Sequence, residues 1–143
     1  MSDHCFTYGS LMCDDIMGAV TAAAPLRPVP ARLAGYRRAP VAGADYPGMV
    51  PAAEGRVEGV LYLDLPAAAW PRLDAFEGDE YRRCEVEVEL PDGHRLTAWA
   101  YVFKPEYAAR LGEGEWSFQR FLATGKARFE ALYLGFDTLG RVD

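Results

Sequence analysis

The sequence is poor in the residues that bind metals or form disulfides. It contains three cysteines, Cys5, Cys13 and Cys84, and two histidines, His4 and His94. An odd number of cysteines without CxxC spacing argues against a disulfide framework, and so few cysteines and histidines argue against a zinc site. We therefore expect reduced thiols, a cytoplasmic location and no bound metal.

An excess of positive charge and long apolar runs are also missing. The formal net charge is −6 and the pI is about 4.9, so the chain lacks the basic surface that nucleic-acid binding requires. No apolar run approaches the roughly 18 residues of a membrane span, and no signal-peptide pattern opens the sequence. We expect neither a nucleic-acid nor a membrane partner. Half of the residues are hydrophobic and no repeat or linker divides them, so residues 1–143 fit a single domain.

Apolar periodicity predicts both strands and helices. Alternating patterns and short apolar runs predict strands at residues 5–8, 28–38, 56–64, 81–90 and 95–103. Helical spacing predicts one helix capped by Asp14 or Asp15 and ended by Pro25, and a second from Pro66 to Glu77. A third helical region, which Gly125 can divide, has an apolar face that we assign to core packing: Phe118, Phe121, Leu122, Phe129, Leu132 and Tyr133. Trp116 precedes it as a staple or lid.

The strands at residues 81–90 and 95–103 are expected to form a hairpin around the turn at residues 91–93 (PDG). The first of them has an acidic face that we interpret as solvated, formed by Glu85, Glu87 and Glu89. The second is apolar on both faces. A strand of that kind indicates a closed or covered sheet.

Glycine and proline mark the connections in the middle of the chain. Residues 41–51 are expected to form a loop with Tyr46 exposed at its centre, and Glu54 and Gly55 a turn. Gly59 lies inside the next predicted strand. A glycine there indicates a bulge, or a backbone that another group approaches closely.

Residues 8–11 (YGSL) connect the first strand to the first helix and are the first candidate site. A glycine lets the backbone approach a ligand closely, and unpaired N–H groups of such a loop can hold an anion. The segment is not a phosphate-binding loop, because no lysine follows and GxGxxG is absent. A plain tight turn is the alternative interpretation.

Residues 73–83 (LDAFEGDEYRR) are the second candidate site. Glu77 stands just before Gly78, where a helix is expected to end, so its carboxylate faces the negative end of the helix dipole. Partial burial would also raise its pKa, toward the range where a carboxyl group both accepts and returns a proton. Asp79 and Glu80 are the rival candidates, and ordinary solvated acids of a turn are the alternative.

Several motifs occur together in the order found in one enzyme family. They are YGSL (8–11), GY (35–36), YP (46–47), VEG (57–59), LY (61–62), LDAFEG (73–78) with Tyr81 and Arg83, and AYV (100–102). From about residue 5 to residue 103 the sequence resembles the gamma-glutamylcyclotransferase family, in its short AIG2-like branch. The glutathione-specific branch shares YGSL but commonly has a tryptophan shortly after it, where Met12 and Cys13 stand here.

The resemblance implies an α+β fold, a small mixed β-barrel of about five to seven strands with helices packed outside. It implies that the α-amine of a γ-glutamyl amide attacks the γ-carbonyl, giving 5-oxoproline and a free amine. The nucleophile is part of this small-molecule substrate, so the reaction requires no metal or organic cofactor. Glu77 would be the general acid and base. The implied substrate-binding residues are Tyr8, Gly9, Ser10, Leu11, Tyr81 and Tyr101.

Some roles stay open at this stage. Tyr81 and Tyr101 are equally well explained as buried tyrosines of a barrel. Arg83 can pair with Glu77, pair with a neighbouring acid, or lie on the strand surface. A non-catalytic ligand-binding or scaffold member of the fold is the alternative function, although Glu77 together with YGSL favours the enzyme. The motifs do not specify the leaving amine, nor the oligomeric state.

Overall fold

The computed structural model describes residues 3–134, with only the backbone of Tyr133 and Leu134. Within these residues, five strands form a closed mixed β-barrel with helices on its outside. The strands are β1 (Cys5–Thr7), β2 (Pro28–Pro40), β3 (Pro47–Tyr62), β4 (Tyr81–Glu89) and β5 (Arg95–Phe103), in the order β1-β3-β2-β4-β5. The predicted barrel is confirmed.

The helices connect these strands and follow the last one. They are α1 (Asp14–Thr21) and α2 (Ala69–Glu77), with short 3₁₀ turns at Ser10–Met12 and Pro105–Arg110. Residues 118–134, the C-terminal helical segment, alternate between α-helical turns at Phe118–Arg120 and Lys126–Phe129 and π-helical turns at Phe121–Gly125 and Glu130–Leu134. None of the helices in the described part of the chain is long and apolar enough to cross a membrane.

Both parallel and antiparallel pairing close the barrel. β1 is antiparallel to β3 and parallel to β5, where Cys5 lies opposite Trp99. β4 and β5 form the predicted antiparallel hairpin along their whole length. β2 and β4 meet only at Arg32 and Glu89, whose side chains also form a salt bridge of 3.1 Å. A single residue pair therefore closes the barrel between β2 and β4.

The predicted turn at Glu54 and Gly55 is wrong, because β3 continues through both residues. The register with β2 shifts next to Tyr36, where residues 52–55 bulge out of the ladder. A Cβ on Gly55 would lie 2.2 Å from the Tyr36 carbonyl oxygen, so glycine marks a bulge here and not a chain reversal. The predicted loop at residues 41–51 is also too long, because its end belongs to β3.

Gly59 is closely approached by backbone, as its position inside a strand predicts. A Cβ on this residue would lie 2.1 Å from the Thr7 carbonyl oxygen and 2.8 Å from the Phe6 ring. The missing side chain therefore lets β1 pack directly against β3, and β1 is the strand that leads into the YGSL loop.

The predicted cap of α1 is also wrong. Cys13 is the N-cap residue, and no side chain caps the helix. Asp14 and Asp15 instead lie in the first turn, where their carboxylates face the positive end of the helix dipole. The helix ends at Thr21, before the predicted stop at Pro25, because Ala22 adopts a left-handed conformation with φ of 57°.

The apolar face predicted for the C-terminal helical segment is only partly buried. Phe121 and Phe129 are buried, but Leu122 is 46% exposed and Leu132 is 69% exposed. The π-helical turns explain the difference, because they add residues per turn and rotate later side chains away from a regular helical face. The side chain of Tyr133 lies outside the described residues.

Candidate active site

A partly open cavity of about 90 Å³ lies where β1 enters the YGSL loop and α2 ends. Three kinds of segment form its wall: the end of β1 with the following loop, the end of α2, and residues from β3 with its preceding loop, from β4 and β5, and from the C-terminal helical segment. The lining residues are Phe6, Thr7, Tyr8, Gly9, Ser10, Leu11, Tyr46, Pro47, Phe76, Glu77, Tyr81, Tyr101 and Phe129. The two candidate segments of the sequence therefore meet at one cavity.

Glu77 is the last residue of α2, and Gly78 ends the helix with φ of 76°. Among the described residues, it is the only one lining the cavity that has a carboxylate, ammonium or guanidinium group. Burial raises the pKa of Glu77 to about 8. A carboxyl group with that pKa can exist in both protonation states near neutral pH.

The two rival acids lie outside the cavity wall. Glu80 accepts a hydrogen bond of 3.1 Å from the Tyr46 hydroxyl and is paired with Arg110. Asp79 is exposed in the turn that follows α2. The geometry thus separates Glu77 from its neighbours, which the sequence could not do.

The YGSL loop continues from β1 into the 3₁₀ turn at Ser10–Met12. The first N–H groups of such a turn have no acceptor within it, so they are available to a ligand. Gly9 packs closely against Pro47, another lining residue, since a Cβ there would lie 2.7 Å from Cδ of Pro47. Glycine at this position therefore serves a contact within the protein, which the sequence interpretation had assigned to a ligand.

Three tyrosines of the cavity donate their hydroxyl groups to the protein itself. Tyr8 donates to the Tyr101 carbonyl at 2.5 Å, Tyr81 donates to the Pro47 carbonyl at 2.7 Å, and Tyr101 donates to Asp74 Oδ1 at 2.7 Å. Burial raises the pKa of all three phenols, so they remain protonated. The tyrosines consequently fix the shape of the wall, and their oxygens can still accept a hydrogen bond.

Arg83 pairs with a neighbouring acid and not with Glu77. Its Nη2 donates to Asp74 Oδ2 at 3.3 Å. Its guanidinium also lies 5.0 Å from the Trp70 ring centroid and 5.2 Å from that of Trp99. No salt bridge to Glu77 is found among residues 3–134, and burial raises its pKa.

Residues 5–118 match the family model described as "Gamma-glutamyl cyclotransferase, AIG2-like". The chain belongs to this family. It is 30% identical to AIG2-like protein A of Arabidopsis thaliana over 129 residues, which cover 87% of this chain and 74% of the relative. It is 33% identical to AIG2-like protein C of the same plant over 125 residues, covering 87% and 72%.

Solved structures share the AIG2-like fold. A solution structure of an Arabidopsis thaliana protein has a TM-score of 0.67 at 27% identity, covering 91% of this chain and 87% of that chain. A structure titled "Gamma-glutamyl cyclotransferase" has a TM-score of 0.62 at 19% identity, covering 75% and 74%. At that identity the second likeness concerns the fold alone.

The structure of this AIG2-like chain adds lining residues that the sequence interpretation placed elsewhere. Tyr46 was expected to be exposed, but it is half-buried, lines the cavity and has its ring centroid 6.3 Å from that of Tyr81. Phe129 was assigned to the core, and it also forms part of the wall beside Phe76. The YP motif (46–47) was the sequence signal that could have identified Tyr46 as a site residue. Nothing local to Phe129 connects it with Glu77, which is distant in sequence.

Proposed function

We propose that this chain is a γ-glutamyl cyclotransferase that converts a γ-glutamyl amide into 5-oxoproline and a free amine. The observation that carries the proposal is Glu77, a lone carboxyl group with a raised pKa in the wall of a small cavity. Membership of the family supports the reaction class. The partner is accordingly a small molecule.

In the proposed reaction the α-amine attacks the γ-carbonyl carbon, closing a five-membered lactam ring. Glu77 takes a proton from the α-ammonium group and delivers it to the nitrogen of the leaving amine, so that the carbon–nitrogen bond breaks. The ring nitrogen loses a second proton as the tetrahedral intermediate collapses, and this proton passes to the freed amine, so the products are 5-oxoproline and the ammonium form of the amine. Approach of the cationic α-ammonium group favours the carboxylate form that this first transfer needs. No external nucleophile or oxidant enters the balance.

The YGSL loop is proposed to hold the anionic part of the substrate. Gly9, Ser10 and Leu11 line the same cavity as Glu77, and the proposal has their backbone N–H groups directed at the ligand. Such donors bind a carboxylate or stabilise a developing oxyanion. Tyr8, Tyr81 and Tyr101 complete the wall around the γ-glutamyl group. The proposal thus assigns the α-carboxylate to the YGSL loop and the α-amine to Glu77.

A cytoplasmic location is part of the proposal. Cys5, Cys13 and Cys84 are all free thiols, as expected in a reducing compartment.

Incubation with a panel of γ-glutamyl amines and γ-glutamyl peptides, followed by mass spectrometry of 5-oxoproline and of the freed amine, tests the function. Equimolar release of both products supports the proposal and identifies the leaving group. A protein that binds 5-oxoproline but releases none from any member of the panel would instead be a non-catalytic ligand-binding member of the fold.

A further inference from the structure

Arg38 on β2 brings a positive charge to the YGSL backbone, although this residue does not line the cavity. Its Nη1 donates a hydrogen bond of 3.0 Å to the Tyr8 carbonyl oxygen and one of 3.3 Å to the Glu58 carbonyl oxygen. The side chain is only 15% exposed. An arginine therefore lies behind the loop that is proposed to hold an anion.

The charge of Arg38 is weakly compensated. Its salt-bridge partner Glu115 lies 3.8 Å away and is 73% exposed, so water screens the pair. Glu58 adds a further, weaker attraction. Nε of Arg38 is the one buried side-chain polar atom in the described residues without a hydrogen-bond partner. Arginine stays protonated in proteins, so these partners leave most of the Arg38 charge uncompensated and able to act on neighbouring groups.

The Tyr8 carbonyl and the Gly9 N–H belong to the same peptide unit. A charge-assisted hydrogen bond to the carbonyl polarises that unit, and the N–H on its other side becomes a stronger donor. The cavity wall contributes no cation of its own among the described residues. Arg38 can thus act on an anion in the cavity without touching it.

Arg38 is also connected, through Trp116, to a second segment of the cavity wall. Its guanidinium lies 5.5 Å from the Trp116 ring centroid, and Trp116 Nε1 donates to the Asp45 carbonyl at 2.9 Å. The residues that follow Asp45 are Tyr46 and Pro47, which line the cavity, and Pro47 packs against Gly9. One side chain consequently contacts the YGSL loop and, through Trp116, the segment that leads to Tyr46 and Pro47.

We propose that Arg38 is a positioning residue that makes the Tyr8–Gly9 peptide selective for a carboxylate ligand over its neutral counterpart. The inference rests on the proposed function for the identity of that ligand, the α-carboxylate of the γ-glutamyl group. The interaction is made with bound substrate and transition state alike, so loss of Arg38 should raise KM at least about tenfold and change kcat much less.

The test compares 5-oxoproline with its neutral carboxamide as ligands of the intact protein. We expect the wild type to bind the acid at least about tenfold more tightly than the amide, and Arg38→Met to reduce that ratio to about twofold. Arg37→Met is the matched control, because Arg37 is the exposed neighbour on the same strand. An unchanged ratio in Arg38→Met, or an equal loss in Arg37→Met, would overturn the inference.

Arg38→Gln is the second variant, for use if Arg38→Met does not fold. It also removes the charge, but it keeps a side-chain hydrogen-bond donor. In the wild type, the Gly9 amide proton resonance should also move downfield with the acid and not with the amide. Equal shifts with both ligands would contradict the role of the peptide.

These binding measurements do not require turnover. Arg38-dependent binding without 5-oxoproline release from any γ-glutamyl compound would refute the reaction alone. Turnover with an Arg38-independent ratio would refute the role of Arg38 alone.

Discussion

The Tyr101 hydroxyl on β5 donates a hydrogen bond of 2.7 Å to Asp74, which lies less than one helical turn before Glu77 on α2. Arg83 donates to the same carboxylate from β4. Two strands therefore attach the last turn of α2 to the barrel. This attachment accounts for the position of the Glu77 carboxyl group in the cavity wall, although Asp74 itself does not line the cavity.

Replacement of Asp74 by alanine should lower both stability and rate. The change leaves the partly buried Tyr101 hydroxyl without its acceptor, which costs about 1–3 kcal/mol in the free energy of unfolding. We expect kcat to fall more than tenfold, because Glu77 loses its alignment. Asp79→Ala is the control, because Asp79 is exposed in the turn that follows α2, and it should change neither value appreciably. A destabilised Asp74→Ala protein with the wild-type kcat would show that the attachment does not position Glu77.

Replacement of Glu77 by glutamine should abolish most of the activity. The variant keeps the shape and hydrogen-bonding groups but cannot transfer the proton, so kcat should fall at least about 10²-fold with the fold intact. Rates are measured by 5-oxoproline release, and folding by circular dichroism. Glu80→Gln and Asp79→Asn are matched controls that should retain activity. If either control lost activity while Glu77→Gln kept it, the proton-transfer role would belong to the residue changed in that control.

The raised pKa of Glu77 should make stability depend on pH. The carboxyl group titrates near 4.5 in an unfolded chain and near 8 in the folded protein, so the folded state binds more protons between these values. The contribution of the protonated Glu77 to the free energy of unfolding is thus present in full below about pH 4.5 and is lost as pH rises through about 8. Glu77→Gln should accordingly show a melting-temperature gain over wild type that grows from about pH 5 to about pH 9. A gain that is constant with pH would show that the Glu77 pKa is not raised.

Gly9→Ala should damage the fold as well as activity, because its Cβ would meet the Pro47 ring at 2.7 Å. We expect a loss of about 1–3 kcal/mol in stability together with most of the turnover. Gly18→Ala is a suitable control, since its nearest contact would be Leu26 at 3.9 Å. Adding Pro47→Ala to Gly9→Ala should restore part of the stability, so the two changes should not be additive. Additive losses would show that the two residues do not clash.

Much of the fold was predictable because local pattern and tertiary structure agree. The hairpin of β4 and β5, the end of α2 before Gly78 and the close approach at Gly59 all follow from alternation or glycine placement. The prediction of a turn at Glu54 and Gly55 is wrong because a glycine required by a bulge looks the same in sequence as one required by a turn. The prediction that Leu122 is buried is wrong because π-helical turns change the helical period without a local signal in the sequence.

The candidate site was predictable only where its residues lie in short motifs. YGSL and the string around Glu77 are of this kind, and both reach the cavity. Phe129 and Arg38 were not predictable, because their contacts join segments that are far apart in sequence. The partner of Arg83 depended likewise on which acid the barrel places beside it, and that acid is Asp74.

The most direct test of the central claim uses one γ-glutamyl amide in two forms, with the α-amine free and with the α-amine acylated. Cyclisation needs the free α-amine as nucleophile, whereas hydrolysis by water does not. We predict that the wild type releases 5-oxoproline and amine from the free form, that Glu77→Gln does so at least about 10²-fold more slowly, and that neither releases amine from the acylated form. Release of amine from the acylated compound would contradict the account and identify an amidase on the same scaffold.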